Sequence, residues 1–181
     1  MIIRRGYVSA LGSAVRRSPV TALLGPRQCG KTTLARAFGA SRQTMHFDLE
    51  SLPDRQRLQN AEMALGQLRG LVDLDEIQAM PELFNVLRVL VDRHGFPARF
   101  LILGSASPTL IKGVSETLAG RVEFIEMAGF DLSETGPPSL HSLWLRGGFP
   151  RSYLARRDAD SAAWREGFIQ TFFNAIFHSS A

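Results

Sequence analysis

Short apolar segments alternate along the chain with stretches whose apolar side chains recur at the spacing of a helix. The apolar segments predict five strands, at residues 20–24, 45–49, 70–74, 99–103 and 122–127. The clearest intervening helix starts near Pro81 and Glu82, and its apolar stripe consists of Leu83, Val86, Leu87, Leu90 and Val91. Strands that alternate with helices are typical of an α/β fold with a mostly parallel sheet.

Three further helices follow other strands. Residues 33–38 predict one helix after the first strand, and Ser107 with Pro108 is typical of the cap and first turn of another. Between them, Pro53 and Asp54 open a helix that carries on one side Leu58, Ala61, Ala64 and Leu65.

The composition is that of an ordinary soluble globular protein, with 45% hydrophobic and 21% charged residues among 181. No apolar run approaches the ~18 residues that a membrane span needs, and the N-terminus lacks the apolar stretch of a secretion signal. Cys29 is the only cysteine, so no internal disulfide is possible and a cytoplasmic setting is expected. The net charge of +4 is spread along the chain, which favours solvated surface charge but leaves contact with nucleic acid open.

A phosphate-binding loop is predicted between the first strand and the following helix, where the chain reads G-P-R-Q-C-G-K-T and matches G-x-x-x-x-G-K-[ST]. The glycines let the backbone curl so that successive N–H groups point at phosphate oxygens. Lys31 places its charge on the β- and γ-phosphates, and the Thr32 hydroxyl is a Mg²⁺ ligand. The expected ligand is a nucleoside triphosphate, with ATP favoured, and the residues predicted to bind it are Gly25, Pro26, Arg27, Gln28, Cys29, Gly30, Lys31, Thr32 and Thr33.

Cys29 lies inside this loop and has two interpretations. It is either a small residue that happens to be a thiol, or a reactive group whose pKa is lowered by the helix terminus and the neighbouring lysine. The sequence alone leaves both open.

Two acidic residues follow the third strand. An acid at this place can hold Mg²⁺, usually through a water, and the next acid can position or deprotonate the attacking water. We therefore predict Asp75, with Thr32, as the metal site and Glu76 as the general base. Asp73 is unusual because it lies within a strand expected to be buried on both faces. It is either a rival metal ligand or a residue at a strained or edge position.

Two more residues complete the predicted catalytic set. Ser105, after the fourth strand, can hydrogen-bond the γ-phosphate or the water, or it is simply a turn serine. Arg121 can stabilise charge that develops on the transferred phosphoryl group, either within one subunit or across an interface, or it is a surface arginine.

Five runs of the sequence resemble a known family: L-G-P-R-Q-C-G-K-T-T-L-A-R, D-E-I-Q-A-M-P-E-L-F, G-S-A-S, L-A-G-R-V-E and L-W-L-R-G-G-F-P. They are similar to the bacterial and archaeal AAA-type ATPases that carry a C-terminal domain called DUF4143, over about residues 2–172. The resemblance implies an AAA+-like P-loop fold, a three-layer sandwich with a mostly parallel five-stranded sheet, that uses ATP and Mg²⁺. It assigns Lys31 and Thr32 to the Walker A motif, Asp75 and Glu76 to Walker B, Ser105 to the sensor position, and Arg121 to the matching arginine.

The sequence departs from this family at two places. Asp73 stands where the family has an apolar residue, and the family's T-F-L-E-R-D-I-P-x-L-G is replaced from residue 173 onward. We therefore expect an ATPase domain at 1–135, a linker and the start of a truncated C-terminal region at 136–172, and a tail at 173–181. Codons can be chosen for residues 174–180 that read E-R-D-I-P-Q-L one base out of frame, so the tail is either a frameshift product or the unrelated end of a short paralogue.

Three functions fit these observations. The first is an ATP-binding protein of the AAA+ type that hydrolyses ATP, the second is a nucleotide-gated interaction module, and the third is a truncated remnant with little turnover. Self-association and an unknown protein partner are expected possibilities. In the third case the aromatic stripe Trp164, Phe168, Ile169, Phe172 and Phe173 would lose its cover.

Overall fold

The computed structural model describes residues 2–177, apart from the side chains of residues 173 and 175–177. The strands are β1 Val20–Leu24, β2 Thr44–Asp48, β3 Gly70–Asp75, β4 Ala98–Gly104 and β5 Val122–Glu126. The helices are α1 Arg5–Arg17, α2 Lys31–Gly39, α3 Leu52–Arg57, α4 Ala61–Gly66, α5 Leu83–Val91, α6 Pro108–Thr117, α7 Leu132–Thr135, α8 Leu140–Arg146, α9 Pro150–Tyr153 and α10 Asp158–Phe177. Short 3-10 turns lie at Ile77–Ala79 and Pro137–Ser139.

All five strands form one parallel sheet in the order β2-β3-β4-β1-β5. The predicted strands coincide with the observed ones to within one residue at each end. This confirms the α/β fold with a five-stranded parallel sheet. Consecutive strands that are not neighbours, such as β1 and β2, are joined by helices, as parallel pairing requires.

Helices cover both faces of the sheet. One face carries alternate strand residues such as Val20, Val72 and Phe100, which pack into a single core with apolar side chains of α5 and α6. The other face meets α1, which contacts β1, β4 and β5, and α2, which contacts β3 and β4. The fold is therefore three-layered, with the sheet buried between two sets of helices.

Three helical regions differ from prediction. Helix α1 was not predicted, and it buries Leu11 and Ala14. The single helix predicted from Pro53 is two short ones, α3 and α4, because Asn60 caps a new helix by accepting a hydrogen bond from the backbone N–H of Met63 at 3.2 Å. Pro81 precedes the helix it was expected to open, since α5 begins at Leu83.

The described residues divide into two compact units, of which one is Arg4–Met127 and the other contains residues 128–177 together with residues 2 and 3. The predicted domain boundary at residue 135 and the linker predicted from residue 136 stay predictions; residue 135 ends α7, and residues 137–139 form the second 3-10 turn. The predicted tail begins within α10, and its residues 178–181 lie outside the described residues.

Four aromatic rings pack against one another in the second unit. The centroid of the Phe168 ring lies 5.1 Å from the ring centroids of both Phe149 and Trp164, and 6.1 Å from that of Phe172. The helical spacing of the predicted stripe is thus confirmed for the described side chains. Its outer edge stays in solvent, where Ile169 and Phe172 are each about half exposed.

Asp73 forms a pair with a neighbour on β2. Its Oδ2 lies 2.9 Å from Nδ1 of His46, which is directly opposite in the parallel register, and Asp73 is only 2% exposed. The hydrogen bond with Asp73 raises the pKa of His46, while burial raises the pKa of the Asp73 carboxyl against the opposing effect of His46. The expectation of an edge position was wrong, since β3 lies between β2 and β4.

The pair predicts a pH-dependent stability. A histidine with a raised pKa in the folded state contributes stability that is complete below its ordinary pKa and is lost as the pH rises through the folded value. The free energy of unfolding should therefore fall as the pH rises from below the ordinary histidine pKa of 6.5 to above it. Urea unfolding across this range measures it, and His46→Gln should flatten the profile. His94→Gln, at an exposed histidine, should keep the parental slope; the same slope in His46→Gln would contradict the assignment.

Candidate functional site

The carboxyl ends of the parallel strands meet at one edge of the sheet, and the predicted phosphate loop begins there. The backbone N–H of Gly25 donates to the carbonyl oxygen of Gly104 at the end of β4, at 3.4 Å. A Cβ on Gly25 would lie 2.1 Å from the carbonyl oxygen of Met127, so no larger residue fits. Gly30 has a φ of 99° and Gln28 a φ of 64°, so the loop curls through left-handed backbone on its way into α2.

The Lys31 side chain lies inside this curl. Lys31 is the first residue of α2 and is 5% exposed. Its Nζ donates to the carbonyl oxygens of Gly25 and Pro26, each at 2.9 Å. The N-terminus of α2 and the Lys31 ammonium group therefore lie together in the loop, which is an arrangement that binds phosphate. Pro26, Arg27, Gln28 and Thr33 are exposed around it.

A second buried cation, Arg4, donates a hydrogen bond to the backbone of the loop. Arg4 is 6% exposed, and its Nη1 donates to the carbonyl oxygen of Cys29 at 3.4 Å. Its guanidinium also lies over the ring of Tyr7, 4.5 Å from the centroid. Arg4 is not among the predicted site residues, because Arg4 and Arg5 look alike in the sequence and only the packing of α1 distinguishes them.

Cys29 is fully buried beneath the loop. Its Sγ lies 3.7 Å from the carbonyl oxygen of Met127. Burial raises the pKa of the thiol, and this outweighs the lowering effect of the charges of Lys31 and Arg4. The interpretation of Cys29 as a low-pKa reactive thiol was therefore wrong, and a small packed residue fits the geometry.

The predicted metal residues are in direct contact. Thr32 Oγ1 donates to Asp75 Oδ2 at 2.7 Å, and Asp75 Oδ1 accepts from the backbone N–H of Glu76 at 3.0 Å. Adjacent hydroxyl and carboxylate oxygens are ligands that suit Mg²⁺, which takes one or two protein oxygens together with phosphate oxygens and waters. The donor set therefore fits a metal held jointly by protein and nucleotide.

Glu76 and Ser105 lie at the ends of neighbouring strands. Glu76 has left-handed backbone, with a φ of 55°, and its half-buried carboxylate accepts a hydrogen bond from the side-chain amide of Gln78. Ser105 follows β4, and its carbonyl oxygen accepts from the N–H of Ser107 at 2.7 Å. Because β3 and β4 pair directly, these residues share one edge of the sheet with the phosphate loop.

Arg121 lies at the opposite edge. Its carbonyl oxygen accepts from the N–H of Val20 at the start of β1, and its guanidinium pairs with Asp92 at 2.6 and 2.8 Å. The five residues of β1 separate it from the phosphate loop, a span of about 16 Å at the usual rise of a strand. This corrects the alternative in which Arg121 acts within its own chain, whereas a role across an interface stays a prediction.

A strand, a glycine loop and a helix that starts with lysine, next to an acidic strand end, define a P-loop nucleotide-binding domain. A family model described as an AAA domain matches residues 17–136, and the chain belongs to this family. It is thus an ATPase-like, nucleotide-binding protein. None of the helices within the described residues combines the length and apolarity that a membrane-spanning segment requires.

Two relatives are described as uncharacterized proteins, one from Mycobacterium tuberculosis and one from Mycobacterium bovis. Each is 52% identical to this chain over 172 residues, which cover 95% of the chain but 39% of the relative. The chain therefore spans well under half the length of the curated relatives it matches.

Two solved structures share the fold. A Walker-type ATPase of Pyrococcus abyssi superposes with a TM-score of 0.70 at 16% identity, covering 99% of this chain and 77% of that one. A signal transduction ATPase with a tetratricopeptide repeat sensor from Pyrococcus horikoshii gives a TM-score of 0.54 at 14% identity, covering 83% and 28%. At these identities the likeness shows the P-loop fold and nothing further.

The close approach at Gly25 gives a direct test of the loop. In Gly25→Ala the added methyl would fall 2.1 Å from the Met127 carbonyl oxygen, so the loop or the end of β5 must shift. We expect a stability loss of about 1–3 kcal/mol and loss of the increase in melting temperature on adding MgATP.

Gly6→Ala is the matched control, since a Cβ there meets nothing within 4 Å. Alanine within α1 should stabilise the chain by about 0.5–1 kcal/mol and keep the response to MgATP. A parental response to MgATP in Gly25→Ala would count against the loop geometry.

Proposed function

We propose that this protein hydrolyses ATP to ADP and phosphate, with Mg²⁺ as the metal. The observation that carries the proposal is the contact between Thr32 and Asp75, which joins the phosphate loop to the acidic end of β3. A domain that only bound nucleotide would need the loop and Lys31 but no general base beside them. Glu76 follows Asp75 directly and supplies a carboxylate at the same edge of the sheet.

Each site residue has a separate role in binding or hydrolysis. The loop N–H groups and Lys31 bind the phosphates, and Thr32 and Asp75 would hold Mg²⁺, which would neutralise charge on the phosphates. A water oxygen bonds to the γ-phosphorus while the bond from that phosphorus to the bridging oxygen breaks, and Glu76 accepts the proton that the water loses. Ser105 hydrogen-bonds the γ-phosphate or the water.

A nucleotide-gated interaction module is the second candidate. It is favoured by the exposed apolar side chains of the second unit, where Trp144 is 89% and Leu140 60% exposed. Such a surface is typical of a protein contact site. The two functions differ in whether turnover matters, so a variant that binds MgATP without hydrolysing it separates them.

The resemblance to ATPases with a DUF4143 domain is part of the proposal, supported by the motifs along residues 2–172 and by the match to the AAA domain family. The curated relatives are much longer than this chain, so what the whole protein acts on and how it assembles are matters for proposal only. Self-association, a protein partner and nucleic-acid binding stay predictions.

MgATP should raise the melting temperature, because a ligand that binds only the folded state stabilises it. At a hundredfold excess over Kd the gain is about 2.7 kcal/mol, or roughly 5–10 °C for a domain of this size. Thermal unfolding with and without MgATP measures the shift, and Lys31→Ala should abolish it. Lys112→Ala is the control, since Lys112 is the only other lysine and its side chain is 74% exposed. An equal shift in Lys31→Ala would remove the phosphate-loop assignment.

Glu76 and Asp75 should differ in the effect of their loss. Glu76→Gln keeps the shape but cannot accept a proton, so MgATP should still raise the melting temperature while the hydrolysis rate falls about 10²–10⁴-fold. Asp75→Asn should instead raise the Mg²⁺ concentration needed for nucleotide binding. Phosphate release and thermal unfolding across a Mg²⁺ titration measure both effects.

Glu82→Gln, at an exposed acid before α5, is the control and should leave rate and binding unchanged. If Glu76→Gln hydrolyses ATP at the parental rate, Glu76 is not the general base. If the Glu76→Gln variant loses turnover but keeps a nucleotide-dependent partner interaction, the interaction module is the better description.

A further inference from the structure

We propose that Gln78 is a positioning residue for Glu76, in which its side-chain amide donates to the carboxylate of the general base and packs against the end of β4. This inference rests on the proposed hydrolysis. Among the described residues, Gln78 makes no hydrogen bond to the phosphate loop or to the Thr32–Asp75 pair.

The orientation of the amide follows from its partner. Gln78 lies in the 3-10 turn Ile77–Ala79, directly after Glu76, and its Nε2 donates to Oε2 of Glu76. A carboxylate oxygen accepts hydrogen bonds, so the amide nitrogen must face Glu76. The amide oxygen Oε1 therefore faces away from the carboxylate.

The other side of the Gln78 amide packs against the backbone of Gly104, which carries no side chain. A Cβ placed on Gly104 would lie 2.9 Å from Gln78 Oε1 and 2.5 Å from Leu110 Cδ2. Gly104 is the last residue of β4, its carbonyl oxygen accepts from the N–H of Gly25, and Ser105 follows it. Gln78 thus lies between the Glu76 carboxylate and the strand end that meets the phosphate loop and carries Ser105.

The amide oxygen is the unusual feature. Among the described residues, Gln78 Oε1 is a buried atom without a hydrogen-bond partner. Leaving a buried polar group unsatisfied costs about 1–3 kcal/mol, so such groups in a folded protein need an explanation. The hydrogen bond from Nε2 to Glu76 fixes the amide in this orientation, with Oε1 against the end of β4.

Positioning has a defined kinetic signature. A glutamate side chain has three rotatable bonds, and a single hydrogen bond from Gln78 restricts where its carboxylate points. Displacing a catalytic group by ~1 Å can cost about 10²-fold in rate. Losing the amide should therefore lower kcat, whereas nucleotide binding by Lys31 and the loop should stay intact.

The test uses the whole chain and the variant Gln78→Met, which keeps the length of the side chain but cannot donate or accept as the amide does. We expect kcat for MgATP hydrolysis to fall by about tenfold to a hundredfold, with KM within about twofold and the thermal shift with MgATP retained. Gln78→Asn, whose amide is one methylene too short to reach, should behave alike and replaces Gln78→Met if that variant does not fold. Gln59→Met, at an exposed glutamine between α3 and α4, should match the parent.

A second measurement separates positioning from a general loss of structure. In a Glu76→Gln background the substitution Gln78→Met should cause no further loss, because the two residues act as one unit. An additive loss there, or a parental kcat in both Gln78 variants, would overturn the role of Gln78. If the parent chain shows no ATP hydrolysis that is lost in Lys31→Ala, the proposed hydrolysis itself is overturned, and this inference with it.

Discussion

The parallel pairing of β3, β4 and β1 is the constraint on which the site depends. Parallel strands end at the same edge of a sheet, so the residues that follow Leu24, Asp75 and Gly104 are neighbours although they are far apart in the sequence. The hydrogen bond from Thr32 to Asp75 then joins α2 to β3 across this edge. Without the common strand direction, the phosphate loop and the acidic pair would lie at opposite ends of the sheet.

Buried charge is concentrated on the face of the sheet that α2 contacts. Lys31, Arg4, Asp73 and Asp75 are each at most 6% exposed, and a buried charge is stable only when it is paired or hydrogen-bonded. The two cations are hydrogen-bonded to loop carbonyls, and the two carboxylates to Thr32 and His46. Hydrogen bonds from Lys31 and Arg4 therefore help to hold the loop, in addition to the packing of Cys29, and this is the preorganisation that phosphate binding requires.

The sequence was sufficient for the strands and for the phosphate loop, because buried parallel strands are continuous apolar runs and the loop has a fixed spacing. Helix α1 was missed because Gly6 and Gly12 and its arginines obscure a stripe that includes Leu11 and Ala14. The pair His46–Asp73 depends on strand register, which local patterns do not carry. The distance of Arg121 from the loop follows from its place just before a parallel strand, at the amino edge of the sheet.

The carbonyl group of Met127 has a mechanical consequence. It is the closest neighbour of a Cβ built on Gly25 and also the neighbour of the Cys29 thiol, and it belongs to the last residue of the first unit. Any change in the curvature of the phosphate loop must either break these contacts or move this peptide. The curvature of the phosphate loop and the position of the peptide that ends the first unit are thus coupled through one carbonyl group.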